Sequence, residues 1–261
     1  MSGNATTGAA SEIINAIPFE TDAGIAARAA IGLIVLATDY TVEHEFRKII
    51  SMPGVAFYES RIPNSSAITP ETLREMEGHI ADRAAVILPA AELDVVAYGC
   101  TSASMVIGEE RVFELIRSAR PGVACTTPIT AAFAAFERLG ARRIGVLTPY
   151  RDDINSLMKG YIERRGFEVP VFGSFNEEND DTVARISEDS IRRALVEIGR
   201  RDRVDAVFVS CTSLRLAENV AAIEAELGKP VTSSNHAMAW HCLRLAGIED
   251  RLPQFGRLYE S

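Results

Sequence analysis

The sequence predicts an α/β protein made of two pseudo-symmetric, doubly wound parallel-sheet domains with a site in the cleft between them. Three observations carry that expectation. From residue 29 onward, short aliphatic runs alternate with longer amphipathic stretches, as strands covered on both faces by helices require. The segments "DVVAYGCTSASM" (94–105) and "DAVFVSCTSLRL" (205–216) share one frame: an Asp, an apolar run, then Cys-Thr-Ser. A second marker, Ile-Gly within "AAIGLIVLATDY" (29–40) and "RRIGVLTPY" (142–150), repeats after 113 positions, against 111 for the Cys-Thr-Ser pair. Two markers at nearly one interval indicate a repeated unit.

Residues 1–28 read as a polar lead-in. They carry Glu12, Glu20 and Asp22 and no basic region ahead of an apolar core, so a secretory signal is not expected. The first domain, 29–127, opens with an aliphatic strand near 31–37 and a helix near 42–50. A strand near 54–59, a long helix near 70–90, a strand at 94–98 and a helix near 103–119 follow. "PGVACTTP" supplies a last short strand. The second domain, 128–232, has strands near 143–148, 168–172 and 205–210. Its helices fall near 128–139, 151–165, 187–200 and 213–227, and Pro230-Val231 closes it. In 233–261, "SSN" reads as a cap, with Ser234 or Asn235 as the capping residue, for a final helix near 236–246. That helix is expected to pack back on the first domain.

The 261 residues are 47% apolar and 24% charged, the balance of a globular protein with a substantial core. The net charge of -9 comes from interspersed signs, which argues against nucleic acid or an anionic membrane as partner. No apolar run approaches the roughly 18 residues of a membrane span. Small anionic substrates stay open, because backbone amides bind them without net positive charge. Cysteines 100, 125, 211 and 242 are too sparse for a disulfide scaffold, so free thiols in the cytosol are expected. There is no C-x-x-C, and His44, His79, His236 and His241 show no zinc spacing; no metal is expected. Neither G-x-G-x-x-G nor G-x-x-x-x-G-K occurs, so a nucleotide cofactor has no support.

Ligands of doubly wound sheets bind at the carboxyl ends of the strands. Tyr40, Cys100, Tyr150 and Cys211 all fall there. Each half would thus offer one thiol to a shared substrate. A thiol at a helix N-terminus feels the positive end of the macrodipole, which should lower its pKa. The Thr and Ser hydroxyls beside it, with the free amides of the first turn, suit a carboxylate whose neighbouring carbon faces the sulfur.

Five segments, "LATDYTVEHE", "YGCTSASMVIG", "TPY", "CTSLR" and "SSNHAMAW", occur in an order and spacing that resemble the aspartate/glutamate racemase superfamily. Within it, the chain is similar to the branch of maleate cis-trans isomerase, arylmalonate decarboxylase and ectoine-utilisation protein A, from about Ile31 to Leu245. The resemblance implies two α/β domains around a cofactor-free site, a homodimer, and Cys100 and Cys211 as the reacting thiols. Racemases of this type use one thiol as base and the other as acid. Maleate isomerase adds its first cysteine to the double bond and lets the second handle the proton. Decarboxylases keep only the second cysteine, so two thiols place that chemistry behind the others.

By the same resemblance, Tyr150 and Asn179 would hold a substrate carboxylate, and Thr101, Ser102, Thr212 and Ser213 lie in oxyanion-binding loops. Asp39 stands where maleate isomerases carry an asparagine. A carboxylate there repels a substrate carboxylate and suits an ammonium group, or a proton shared with Cys100. Glutamate racemases have a histidine soon after the second cysteine, whereas Leu214 and Arg215 follow here. The expected activity is a cofactor-independent isomerase or racemase of a small carboxylate. Its first form is maleate isomerase-like, in the ectoine-utilisation branch. An amino-acid racemase comes second and a decarboxylase third. A non-catalytic carboxylate-binding protein is the reading of another class. Cys125 and Cys242 read as core thiols, His44 as a solvated helix residue, and His236 as a residue behind the site. Arg215 reads equally as facing the cleft or solvent.

Overall fold

Two four-stranded parallel sheets with the same strand order form the frame. The computed structural model describes residues 13–260; of the expected lead-in, residues 1–12 lie outside the described residues. The first sheet contains β1 (Ala29–Leu36), β2 (Val55–Ile62), β3 (Val95–Gly99) and β4 (Ala124–Thr126). The second contains β5 (Arg143–Thr148), β6 (Glu168–Ser174), β7 (Ala206–Val209) and β8 (Val231–Ser233). Their orders, β2-β1-β3-β4 and β6-β5-β7-β8, are one winding written twice. Every pairing is parallel. In each sheet the order reverses beside the first strand, which opens a crevice at the carboxyl edge between β1 and β3, and between β5 and β7.

Helices α1 (Val42–Ile49), α2 (Pro70–Glu75), α3 (Ile80–Ala85), α4 (Thr101–Ile107) and α5 (Glu109–Ala119) link the first set of strands. The second set is linked by α6 (Pro128–Arg138), α7 (Asp152–Arg164), α8 (Asp180–Val183), α9 (Glu188–Gly199) and α10 (Val220–Leu227). The chain then forms α11 (Ser234–Leu245) and two short 3-10 turns. Strand β1 is aliphatic throughout because both of its faces are covered. Ile31, Leu33 and Val35 pack with Phe46, Met238 and Trp240, whereas Ile34 packs with Ile80, Val96 and Tyr98 on the other face. Helix α11 lies against β3, α1 and α6 and is buried along most of its length. Its cap is Ser233, whose hydroxyl accepts from His236 N, one residue before the expected pair.

Three expected helices are broken, each for a visible reason. The long helix near 70–90 is interrupted by a 3-10 segment, Met76–His79, before α3. The helix near 103–119 divides at Gly108, whose φ of 97° ends α4 and starts α5. The helix near 213–227 starts only at Val220, because side chains from elsewhere take up the backbone groups of the intervening loop, as described below.

Glycines of the Ile-Gly marker sit where helices press on the sheet. A Cβ on Gly145 would lie 2.5 Å from Ile198 Cγ2 and 3.1 Å from Val204 Cγ1; one on Gly32 would meet Leu93 and Val96 at 3.0 Å. Ile198 Cγ2 is a methyl on a branched Cβ and moves little. Gly145→Ala is therefore expected to lower stability by about 1–3 kcal/mol through overpacking, and Gly32→Ala by less. Thermal melting of the two variants checks the order; equal or reversed losses would show that the second sheet yields at this contact.

Candidate active site

A cavity at the carboxyl edges of both sheets is lined by Cys100, Thr101 and Ser102 from one half and by Tyr150, Cys211, Thr212 and Ser213 from the other. Asp180, Asn64, Ser65 and Thr72 add to its polar wall, and Leu36, Ile68, Leu73 and Met76 form an apolar one. Seven of the nine residues expected at the site are thus brought together.

Cys100 directly follows β3. Gly99 allows the chain to turn there, since a Cβ on it would come within 2.9 Å of Ile34 O. Cys100 then stands as N-cap of the seven-residue α4 with its side chain free of capping. Its Sγ lies 3.8 Å from Ser102 Oγ. Burial pushes the Cys100 thiol up to about 11; the Ala103 amide and Ser102 draw it back, and Asp180 and Asp39 push it further. The thiol at a helix start was expected to be acidified. Here the loss of water outweighs the dipole of a short helix.

Cys211 follows β7 in a different setting. No helix starts at it; its loop runs through a turn to the 3-10 segment Ala217–Asn219. First-half and C-terminal side chains hold that loop open. Ser234 Oγ accepts from Cys211 N at 3.1 Å and lies 2.8 Å from Thr101 Oγ1. Glu45 Oε1 accepts from Leu216 N and Ala217 N, each at 2.6 Å. Asn235 Nδ2 donates to Glu45 Oε2 and to Thr212 O, each at 2.7 Å. Thr41 Oγ1 donates to Ser213 O at 3.1 Å. Burial and then Asp180 push the Cys211 thiol well above its ordinary value, while the Ser213 amide and Tyr150 oppose them. Tyr150 is itself buried and raised, first by burial and then by the two thiols.

The carboxylates depart from expectation. Asn179 does not reach the cavity: its Oδ1 accepts from Thr182 N and caps α8. Its neighbour Asp180 does, with Oδ1 accepting from Ser213 Oγ at 2.6 Å and Oδ2 from Thr38 Oγ1 at 2.8 Å. Asp39 lies buried behind the lining. Its Oδ1 accepts from Thr41 N and Val42 N and so caps α1, while Oδ2 has no hydrogen-bond partner. Burial raises Asp39, and Asp180 adds to the rise. The pseudo-symmetry also fails at the tyrosines, since Tyr40 is half-exposed and donates to Asp181 Oδ1.

Other residues sort simply. Cys125 and Cys242 are buried in the two cores. His44 is exposed beside Glu218. Arg215 turns away from the cavity, 3.8 Å from Glu188. His236 is buried between Thr232 and the Phe255 carbonyl, and burial lowers it to about 4. Among the described residues no group of three or more His, Cys, Asp or Glu is placed to hold a metal, and no helix is long and apolar enough to cross a membrane. Glu45, Ser234, Asn235 and Asp180 are the residues that motif reasoning passed over. Glu45 had a signal, because it interrupts the buried stripe Val42, Phe46 and Ile49; a lone acid on an apolar face needs partners.

Residues 31–259 match the family model of arylmalonate decarboxylase. The maleate isomerase of Pseudomonas putida is 29% identical over 242 residues, 87% of this chain and 96% of that one. The arylmalonate decarboxylase of Bordetella bronchiseptica is 28% identical over 142 residues, 54% of this chain and 59% of that one. Among solved structures, the maleate isomerase of Pseudomonas putida S16 superposes with a TM-score of 0.82 at 26% identity, covering 89% of this chain and 98% of that one. A cysteine mutant of the Nocardia farcinica maleate cis-trans isomerase, bearing a covalently bound succinylcysteine intermediate, gives 0.79 at 26% identity with the same coverage. The chain belongs to the arylmalonate decarboxylase family, in the maleate isomerase and decarboxylase branch of the aspartate/glutamate racemase-like superfamily, and is an enzyme of the isomerase type.

Two outcomes follow from the geometry. In the free enzyme, Cys100 alkylation by iodoacetamide should rise roughly tenfold per pH unit from about pH 7 to 10, with no plateau near the ordinary thiol value of about 8.5; peptide mass spectrometry reads it. Glu45→Gln places an amide N–H₂ against the donor Asn235 Nδ2. It should cost about 1–3 kcal/mol and reduce turnover more than substrate affinity, measurable by melting and steady-state kinetics.

Proposed function

We propose that this enzyme is a cofactor-independent isomerase of a small carboxylate, acting through Cys100 and Cys211. What supports the reading is the convergence of two Cys-Thr-Ser loops, one from each sheet, on one cavity, together with the covalent cysteine intermediate of a structural neighbour. Burial is the largest influence on both thiols and leaves Cys100 at about 11, whereas Asp180 is the second largest influence on Cys211 and only a lesser one on Cys100. Cys100 is the easier to ionise and takes the nucleophile's part; Cys211 keeps its proton and acts as the acid.

In the cis-trans form of the reaction, the Cys100 thiolate bonds to one alkene carbon. The π pair moves to the neighbouring carbon beside the carboxylate, and that carbon takes the Cys211 proton. Rotation about the new single bond and reversal of both steps restore the double bond and both sulfurs. The amides of Thr101, Ser102, Thr212 and Ser213, with the hydroxyls of Ser102 and Thr212 and with Tyr150, would hold the carboxylate as negative charge spreads onto it. On the resemblance to ectoine-utilisation protein A, the substrate belongs to the breakdown of ectoine. Asp180 in the cavity wall favours a second reading, amino-acid racemisation, in which one sulfur removes the α-proton and the other returns one on the opposite face.

Deuterium incorporation in heavy water, followed by NMR over maleate, aspartate, and acetylated diaminobutyrate with its parent, tests the proposal. Cys100→Ala and Cys211→Ala should each lose about 10²–10⁴-fold in turnover. Full activity of Cys100→Ala would instead indicate single-thiol, decarboxylase-like chemistry. Unchanged ligand binding without turnover in the unmutated enzyme would indicate a carboxylate-binding protein.

A further inference from the structure

The cavity wall carries one formally charged side chain, Asp180, and no Lys, Arg or His. A buried carboxylate ordinarily has a cation beside it. Among the described residues Asp180 has none: Arg185 pairs with Asp181 at 2.6 Å, and Arg215 lies near Glu188. Asp180 is held by one hydroxyl on each oxygen, which leaves acceptor capacity on both. Behind it, buried Asp39 keeps Oδ2 without a partner. Asp180 raises Asp39, and both acids raise both sulfurs, so the two carboxyl groups lie close to the reacting centre.

We propose that the substrate of this site is a small amino-carboxylate whose protonated amine lies against Asp180, backed by Asp39, with its carboxylate in the Cys-Thr-Ser loops. This rests on the reading that Cys100 and Cys211 act on a small carboxylate here, and it narrows that substrate. A dicarboxylate would set a second negative charge against an uncompensated acid in a site shielded from water. An ammonium group supplies the missing counter-ion. It also offsets the part of the thiols' rise that comes from the two acids, so that the correct substrate itself makes the thiolate more accessible. Leu73 and Met76 then cover the carbon chain between the two charged ends.

The test is protection of Cys100 and Cys211 in the full chain from iodoacetamide at about pH 8. The probes are 2,4-diaminobutyrate and 2-aminobutyrate, their fully N-acetylated counterparts, and maleate. The amine-bearing acids should protect at concentrations at least about tenfold lower than the acetylated acids and maleate, and Asp180→Asn should erase that preference. The inference is overturned if maleate or the acetylated acids protect as well, if no amine-bearing acid protects, or if Asp180→Asn keeps the preference. Should that variant not fold, the comparison among probes on the unmutated enzyme decides. Thiol-dependent deuterium exchange that favours maleate would overturn only the amine. Exchange that persists in Cys100→Ala and Cys211→Ala would overturn the two-thiol reading itself.

Discussion

The site depends on holding two loops from two different sheets in one register, and a buried seam of polar side chains does this. Ser234 is its centre: one hydroxyl reaches both the Cys211 amide and Thr101. Glu45 and Asn235 extend the seam, tying Thr212, Leu216 and Ala217 to the first half. Burial pushes Glu45 up to about 7, against the pull of its three donors. Such a network is costly to leave half-satisfied, so the Cys211 loop has one favoured shape, set by residues of α1 and α11. The geometry of the Cys211 loop is therefore fixed largely from the first half and the C-terminal helix.

The same burial shapes the chemistry. Both sulfurs are buried at the cavity, with Asp180 in its wall and Asp39 behind it. A resting enzyme with raised thiols is protected from adventitious alkylation and oxidation, which require thiolate. Reactivity must then arrive with the substrate, through whatever charge it brings and whatever donors it completes. An electrostatic field set before binding distinguishes substrates by the charge they carry, before any difference in shape matters.

The fold was legible because it follows from repetition and periodicity. Short apolar runs marked seven of the eight strands, the exception being Val231–Ser233, and two markers at one interval marked the duplicated winding. The breaks at Gly108 and Met76–His79 were less visible, since local glycine geometry and a 3-10 turn leave the apolar pattern intact. The site was legible as far as residue types at strand ends could show it. Beyond that point, contacts between residues distant in the chain decide. Asn179 and Asp180 are neighbours in one polar loop, and only the tertiary fold selects which caps a helix and which enters the cavity. The acidity expected of a thiol at a helix start was overturned for a related reason: sequence shows the dipole but not the depth of burial.

Duplication explains why two cysteines are present, and its imperfections explain how they can differ. Perfect repetition would give two sulfurs of equal acidity, with neither predisposed to act first. Here Cys100 caps a helix, whereas Cys211 sits in a loop held by Glu45 and Ser234. Tyr150 is buried beside Cys211, whereas Tyr40 turns outward to Asp181. Asp180 binds the hydroxyl of Ser213, in the second Cys-Thr-Ser loop, and ranks higher among the influences on Cys211 than on Cys100. Tyr150 and Asp180 act unequally on the two sulfurs, so the proton affinities of the pair differ. The asymmetry around a nearly symmetric pair thus gives two buried thiols of one cavity unequal settings.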